Sequence, residues 1–163
     1  MIRLATVNDY NRIKDIDFQV HEIHRENRPD IFKKASKKMV CTIDYLESML
    51  NEDDTNFYVH ETNGFVDGIL AVEIKEKGVT LPFLRKQRVY YIHSLGVDKE
   101  FRGKGIGKEL MNFAFDRAKE LKCDSVELNV WAFNSDAIDF YESLDMNVKS
   151  IVYEKKLKYN NKK

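Results

Sequence analysis

The sequence contains little cysteine, little proline and no excess of either charge. Two cysteines in 163 residues, Cys41 and Cys123, are too few for a disulfide framework and lack the spacing of metal ligands. Lysine plus arginine equals aspartate plus glutamate at 27 each, so the overall positive field of a nucleic-acid-binding protein is missing. No apolar run approaches the roughly 20 residues of a membrane helix, and no signal peptide is evident. The composition predicts a cytoplasmic protein without nucleic-acid, membrane or metal partners.

The chain also lacks linkers, internal repeats and low-complexity stretches. It has only two prolines, and its 163 residues are an ordinary length for one domain. A chain of this size buries roughly 70% of its unfolded surface, which suffices for a core. We therefore predict a single domain over residues 1–158, followed by a flexible basic tail over residues 159–163.

Hydrophobic periodicity predicts the element order β-α-α-β-β-β-α-β-α-β. The Asn63-Gly64 pair predicts a hairpin in the middle of the chain, and helical crossovers join the later strands. The sequence therefore predicts an α/β (α+β) fold with a mixed, mostly antiparallel sheet flanked by helices. The expected strands cover residues 2–4, 57–60, 69–74, 89–97, 126–130 and 148–157.

Glycine is scarce but concentrated, because three of the seven glycines lie between Arg102 and Lys108. This segment joins an apolar strand to an amphipathic helix that begins near Ile106. The first amides of a helix lack intrahelical acceptors, and the helix dipole adds partial positive charge there. The loop therefore predicts a pyrophosphate site. Its spacing fits neither a Walker loop nor a dinucleotide fingerprint, although a binder of nucleotide phosphates remains an alternative.

Two motifs resemble those of the GNAT superfamily of N-acetyltransferases. The first is Arg-x-x-Gly-x-Gly, which begins at Arg102 and is similar to the coenzyme A loop of that family. The second is Asn-x-x-Ala-x-x-Phe-Tyr, which runs from Asn134 to Tyr141 at the expected distance. The family's following glycine and phenylalanine are replaced by Asp145 and Met146, and aspartate tolerates the left-handed backbone needed there. The resemblance covers most of the chain.

The resemblance implies a GNAT fold with acetyl-CoA as co-substrate, held where the strands ending at Val97 and Val130 separate. The pantetheine arm would pair with strand backbone and with Asn134, and the loop amides would receive the pyrophosphate. The expected cofactor-binding residues are Leu95, Gly96, Val97, Arg102, Gly103, Lys104, Gly105, Ile106, Gly107, Lys108 and Asn134.

The same resemblance implies that a primary amine attacks the thioester directly in a ternary complex. Tyr141 stands where the family has the tyrosine that faces the sulfur, so we expect it to act as general acid. The candidate bases are His93 and Tyr91, on the strand before the loop. We prefer His93, since a free histidine titrates at about pH 6.5, although strand histidines are more often packing residues.

The acceptor is expected to be a small-molecule or peptide amine, which the sequence does not name. His21, His24 and Arg28 fall on one stripe of the first helix and could meet an acceptor, but a solvated polar face is the favoured interpretation. A non-catalytic module that senses acyl-CoA is the alternative function. The last predicted strand is expected to be exposed, which leaves a homodimer open.

Overall fold

The computed structural model describes residues 1–78 and 80–157. The chain divides into two compact units, Met1–Asn129 and Val130–Lys163. The predicted tail, residues 159–163, lies outside the described residues, and the extent of the single domain stays a prediction.

The first unit contains a five-stranded sheet in the order β1-β2-β3-β4-β5. All neighbouring strands are antiparallel except β4 and β5, which are parallel. This confirms the predicted mixed, mostly antiparallel sheet. The strands are β1 (Ile2–Leu4), β2 (Thr55–Thr62), β3 (Phe65–Lys77), β4 (Gln87–Val97) and β5 (Ser125–Leu128), and the helices are α1 (Tyr10–Asn27), α2 (Lys37–Val40), α3 (Ile43–Asn51) and α4 (Ile106–Glu120), with single 3-10 turns at Val7–Asp9 and Lys99–Phe101.

Local signals in the sequence set the boundaries of these elements. A capping box precedes α1, because the Asp9 carboxylate accepts a hydrogen bond from the Thr6 amide at 2.8 Å. Thr42 caps α3, where its hydroxyl accepts from the Tyr45 amide at 3.1 Å. The hairpin between β2 and β3 turns at Asn63 and Gly64, whose φ angles are 51° and 81°. Two consecutive residues with positive φ form the tight turn that the sequence predicted.

The sheet is covered on both faces. On one face, residues of α1 and α3, such as Ile16 and Leu46, belong to one buried cluster with Phe57 and Ile69 of the sheet. On the other face, Phe113 of α4 packs edge-on against Tyr58, with ring centroids 4.8 Å apart. Burial on two sides explains why β3 reads as an almost continuous apolar run instead of an alternating one.

Close packing of α1 against β4 depends on the absence of a side chain at Gly96. A methyl group there would lie 2.9 Å from Ile16 Cγ2 and 3.2 Å from Val20 Cγ2. We expect Gly96→Ala to lower the free energy of unfolding by about 1–3 kcal/mol, since the helix must move away. Urea unfolding followed by circular dichroism measures this change. An unchanged midpoint would contradict the close approach.

In the second unit, Asn134 begins helix α5 (Ser135–Glu142) with its side-chain oxygen 3.3 Å from the Ala137 amide. Asp145 has a φ of 61°, and the Met146 amide donates to the Tyr141 carbonyl at 3.2 Å. This is the left-handed helix ending that the sequence predicted at Asp145.

The prediction of a last strand over residues 148–157 is wrong. In the part of the chain that the structure describes, this segment has no regular secondary structure and pairs with no strand. Its apolar side chains are largely exposed, with Val152 at 92% and Tyr153 at 89%. An alternating pattern indicates only the conformation of the local backbone. Strand formation also needs the edge of another strand to pair with, and the local sequence does not specify which edge that is.

Candidate active site

The edge of β4 that faces β5 is paired over only part of its length. Pairing runs from Val89 opposite Ser125 to Ile92 opposite Leu128, where β5 ends. Beyond Ile92, no strand within residues 1–78 and 80–157 pairs with this edge. Leu95, Gly96 and Val97 lie here, paired to β3 on their other side only. The end of β5 therefore leaves a backbone edge of β4 that an extended ligand can join.

The glycine-rich loop follows this free edge directly. Gly103 and Gly105 have φ angles of 75° and 87°, a conformation that disfavours any side chain. A side-chain carbon at either position would meet nothing within 4 Å, so the backbone is open to a ligand. The first regular helical bond of α4 runs from the Glu109 amide to the Gly105 carbonyl at 3.0 Å.

The preceding amides, at Ile106, Gly107 and Lys108, have no acceptor within the helix and can therefore bind an anion.

The side chains of Arg102 and Lys104 contact neighbouring residues of the loop. Arg102 Nε donates to the Val97 carbonyl at 3.0 Å and so ties the loop to the end of β4. Lys104 Nζ lies 4.6 Å from the centre of the Phe101 ring. The pyrophosphate site at this loop stays a prediction.

His93 occupies a β-bulge in β4. Ser94 pairs with Ala71 and Ile92 pairs with Val72, so His93 has no opposite residue on β3. Its Nε2 atom lies 2.6 Å from Oε2 of Glu73. Burial opposes ionisation of Glu73, but the hydrogen bonds and charge interactions with His93 and Lys75 together lower the pKa of this carboxyl group. The pair is thus an imidazole held by an ionised carboxylate.

Tyr91, the other candidate base, has different neighbours. Its hydroxyl accepts a hydrogen bond from Asn129 Nδ2 at 2.9 Å, and Lys75 Nζ lies 3.7 Å from its ring centre. Its ring meets the His93 ring edge-on, with centroids 4.9 Å apart. Of these two residues, His93 contacts a carboxylate, whereas the Tyr91 hydroxyl is hydrogen-bonded to an amide.

A second carboxylate lies beside the bulge on α1. Asp17 Oδ1 accepts a hydrogen bond from the Ser94 hydroxyl at 3.2 Å, and burial raises the pKa of Asp17. Burial and the negative charges of Asp17 and Glu73 both raise the pKa of Tyr45, to about 12. The negative charges of both carboxylates therefore reach the same side chain, Tyr45 of α3.

In the second unit, the structure describes the positions of Asn134 and Tyr141. The Asn134 oxygen caps α5, while its Nδ2 donor takes no part in the cap. Tyr141 is half-buried, with its ring centroid 5.3 Å from that of Phe140. Burial raises the pKa of Tyr141 to about 12, so the hydroxyl keeps its proton at neutral pH.

The histidine stripe of α1 packs against an aromatic ring, which differs from the expected solvated face. His24 stacks on Phe32 with centroids 5.2 Å apart, and His21 meets the same ring at 6.0 Å. His21 Nε2 also lies 3.2 Å from the Lys33 carbonyl oxygen. The stripe therefore anchors the segment after α1.

Sequence reasoning missed Glu73, Asp17 and the bulge. Glu73 reads as a polar residue of an ordinary strand, and its pairing with His93 depends on the register between β3 and β4. Within residues 1–78 and 80–157, no three histidine, cysteine or acidic side chains group as a metal site would need. In the same ranges, no helix has the length and apolar character to cross a membrane.

Comparison with known proteins gives a consistent result. The model of the acetyltransferase (GNAT) family matches residues 18–146. An uncharacterised N-acetyltransferase of Methanocaldococcus jannaschii is 35% identical over 108 residues, which are 66% of this chain and 46% of that protein. This chain thus spans less than half of that relative.

Two further proteins show the similarity in sequence and in structure. The glucosamine 6-phosphate N-acetyltransferase of Arabidopsis thaliana is 34% identical over 96 residues, which are 58% of this chain and 59% of that protein. A crystal structure of a mutant of the BH1408 protein of Bacillus halodurans superposes with a TM-score of 0.92 at 28% identity. That superposition covers 96% of this chain and 99% of the other.

Proposed function

Since the chain belongs to the acetyltransferase (GNAT) family, we propose that it moves the acetyl group of acetyl-CoA onto a primary amine by direct attack in a ternary complex. The observation that carries this proposal is the His93–Glu73 pair, 2.6 Å apart, placed beside the unpaired edge of β4. A base at the edge where the thioester arm would bind is what amine acetylation needs.

Acetyl-CoA binding is assigned to backbone groups. The free edge from Leu95 to Val97 pairs with the pantetheine arm, and Asn134 Nδ2 donates to it. The loop from Gly103 to Lys108 presents its amides to the pyrophosphate, with Arg102 and Lys104 adding positive charge. The backbone amide of Val97 stabilises the negative charge that develops on the carbonyl oxygen.

The His93–Glu73 pair supplies the base. With Nε2–H donated to Glu73, the lone pair at Nδ1 takes a proton from the substrate ammonium. The neutral amine nitrogen then bonds to the acetyl carbon, and the carbon–sulfur bond breaks. Glu73 keeps the imidazole in one orientation and stabilises the imidazolium that forms, so it is a positioning residue.

Tyr141 is assigned as the general acid. Its proton moves to the departing sulfur and completes the coenzyme A thiol. The phenolate then regains a proton from the acylated nitrogen, which becomes the neutral amide. The raised pKa of about 12 keeps the group protonated before the reaction, so that the proton is available as the bond breaks.

The test of this function is release of free thiol from acetyl-CoA in the presence of a panel of primary amines. We expect release with at least one amine and none without an amine. Binding of acetyl-CoA without release on any amine would instead support the sensing module. A midpoint of thermal unfolding raised by ATP and NAD, but unchanged by acetyl-CoA, would support a nucleotide-phosphate binder.

A further inference from the structure

Two consecutive residues of β4 each contact a carboxylate. His93 contacts Glu73 of β3, and Ser94 contacts Asp17 of α1. The bulge makes this arrangement, because regular alternation would send neighbouring side chains to opposite faces of the sheet. The base is therefore next to a carboxylate that the proton transfer does not use.

The two carboxylates differ in how their charge is balanced. The Glu73 carboxylate is paired with His93 and with Lys75, whose Nζ atom lies 3.4 Å from Glu73 Oε2. The Asp17 carboxylate accepts from the Ser94 hydroxyl, and the one charge interaction that favours its ionised form is with His21. Within residues 1–78 and 80–157, no lysine or arginine forms an ion pair with Asp17. A half-buried carboxylate without a strong cation is costly, and a cationic ligand would remove that cost.

We infer that the acceptor is an amine with a second positive charge, such as a linear diamine, and that Asp17 binds the second charge while His93 deprotonates the first. This inference rests on the proposed function and adds its substrate class. Ser94 holds the Asp17 carboxylate in place through its hydroxyl.

The same charges work against anionic acceptors. A phosphorylated amine, such as the amino sugar phosphate named for the Arabidopsis relative, would bring its phosphate towards Asp17 and Glu73. Like charges repel strongly in a partly dry site, so this chain is expected to bind such a compound poorly.

The first experiment compares kcat/KM for a linear diamine, the monoamine of the same chain length and glucosamine 6-phosphate. We expect a preference for the diamine of at least about tenfold. Asp17→Asn is expected to remove this preference by raising KM for the diamine, with little change in kcat. The matched control is Asp15→Asn, on the same helix, whose carboxylate pairs with Lys37 at 2.8 Å and should not affect the preference.

The second experiment separates binding from turnover. Calorimetric titration of diamine into the protein with coenzyme A present should show binding that Asp17→Asn weakens about tenfold and Asp15→Asn does not. Because burial raises the pKa of Asp17, its ionised form opposes folding above the usual titration range of aspartate. Asp17→Asn should therefore not lower the melting temperature at pH 8.

Equal binding of diamine and monoamine would overturn the inference, as would a preference that survives Asp17→Asn. Loss of melting temperature in Asp17→Asn with the preference unchanged would show a structural role only. Diamine binding that depends on Asp17, without thiol release from any amine, would support the substrate class and overturn the proposed transfer.

Discussion

His93→Ala is expected to lower kcat for amine acetylation by roughly 100- to 10,000-fold, the range that a general base contributes. Without the imidazole, only the small neutral fraction of the amine can attack, so the remaining rate should rise with pH up to the pKa of the amine. Affinity for acetyl-CoA should change little, because backbone groups carry that binding. Steady-state kinetics at several pH values, with coenzyme A titrated separately, measures both quantities.

Imidazole added to the medium serves as the control, since it should restore part of the activity of His93→Ala. Glu73→Gln is the companion variant: it keeps a hydrogen-bonding group near Nε2 but removes the negative charge. A carboxylate stabilises the protonated imidazole, so its removal should move the acid limb of kcat/KM to lower pH and lower the maximum. A pH profile identical to that of the unaltered protein would exclude Glu73 as the positioning residue.

Tyr141→Phe is expected to lower kcat by about 100-fold, at the low end of general-acid contributions because a thiolate leaves readily. The change removes only the hydroxyl, and the ring keeps its contact with Phe140. The Kd for acetyl-CoA should therefore stay nearly constant. Replacing acetyl-CoA with an acyl donor whose leaving thiol is more acidic should reduce the deficit.

The matched control for this variant is Tyr153→Phe, which removes a hydroxyl from a side chain that is 89% exposed in the same unit. It should leave kcat unchanged. Full activity of Tyr141→Phe at every pH would refute the assignment of the general acid.

The parts of the site that sequence predicted are those built from local signals. Gly105 adopts the left-handed conformation that opens α4, and Asn134 caps α5, each within one turn of the residues that define it. Such features depend on backbone preferences of a few neighbouring residues. Strand β5 ends at Leu128, two residues before the end at residue 130 that alternation predicts.

The parts of the site that the sequence did not predict depend on contacts between residues far apart in the chain. Glu73 meets His93 across 20 positions, and Asp17 meets Ser94 across 77. The first contact requires the register of β3 against β4, and the second requires the packing of α1 on β4. The register changes at a bulge which the sequence does not mark with glycine. The predicted strand over residues 148–157 was wrong for a related reason, because alternating hydrophobicity does not specify which strand edge a segment pairs with.

The bulge at His93 interrupts the pairing of β3 with β4, and it holds the proposed catalytic base. Deleting this one residue would let β3 and β4 align without interruption, and the ladder of backbone hydrogen bonds would gain continuity. The deletion would leave Ser94 and Gly96 facing α1, because each would keep its partner on β3, and it would remove the imidazole alone. A more regular sheet in this protein would therefore lack the proposed base.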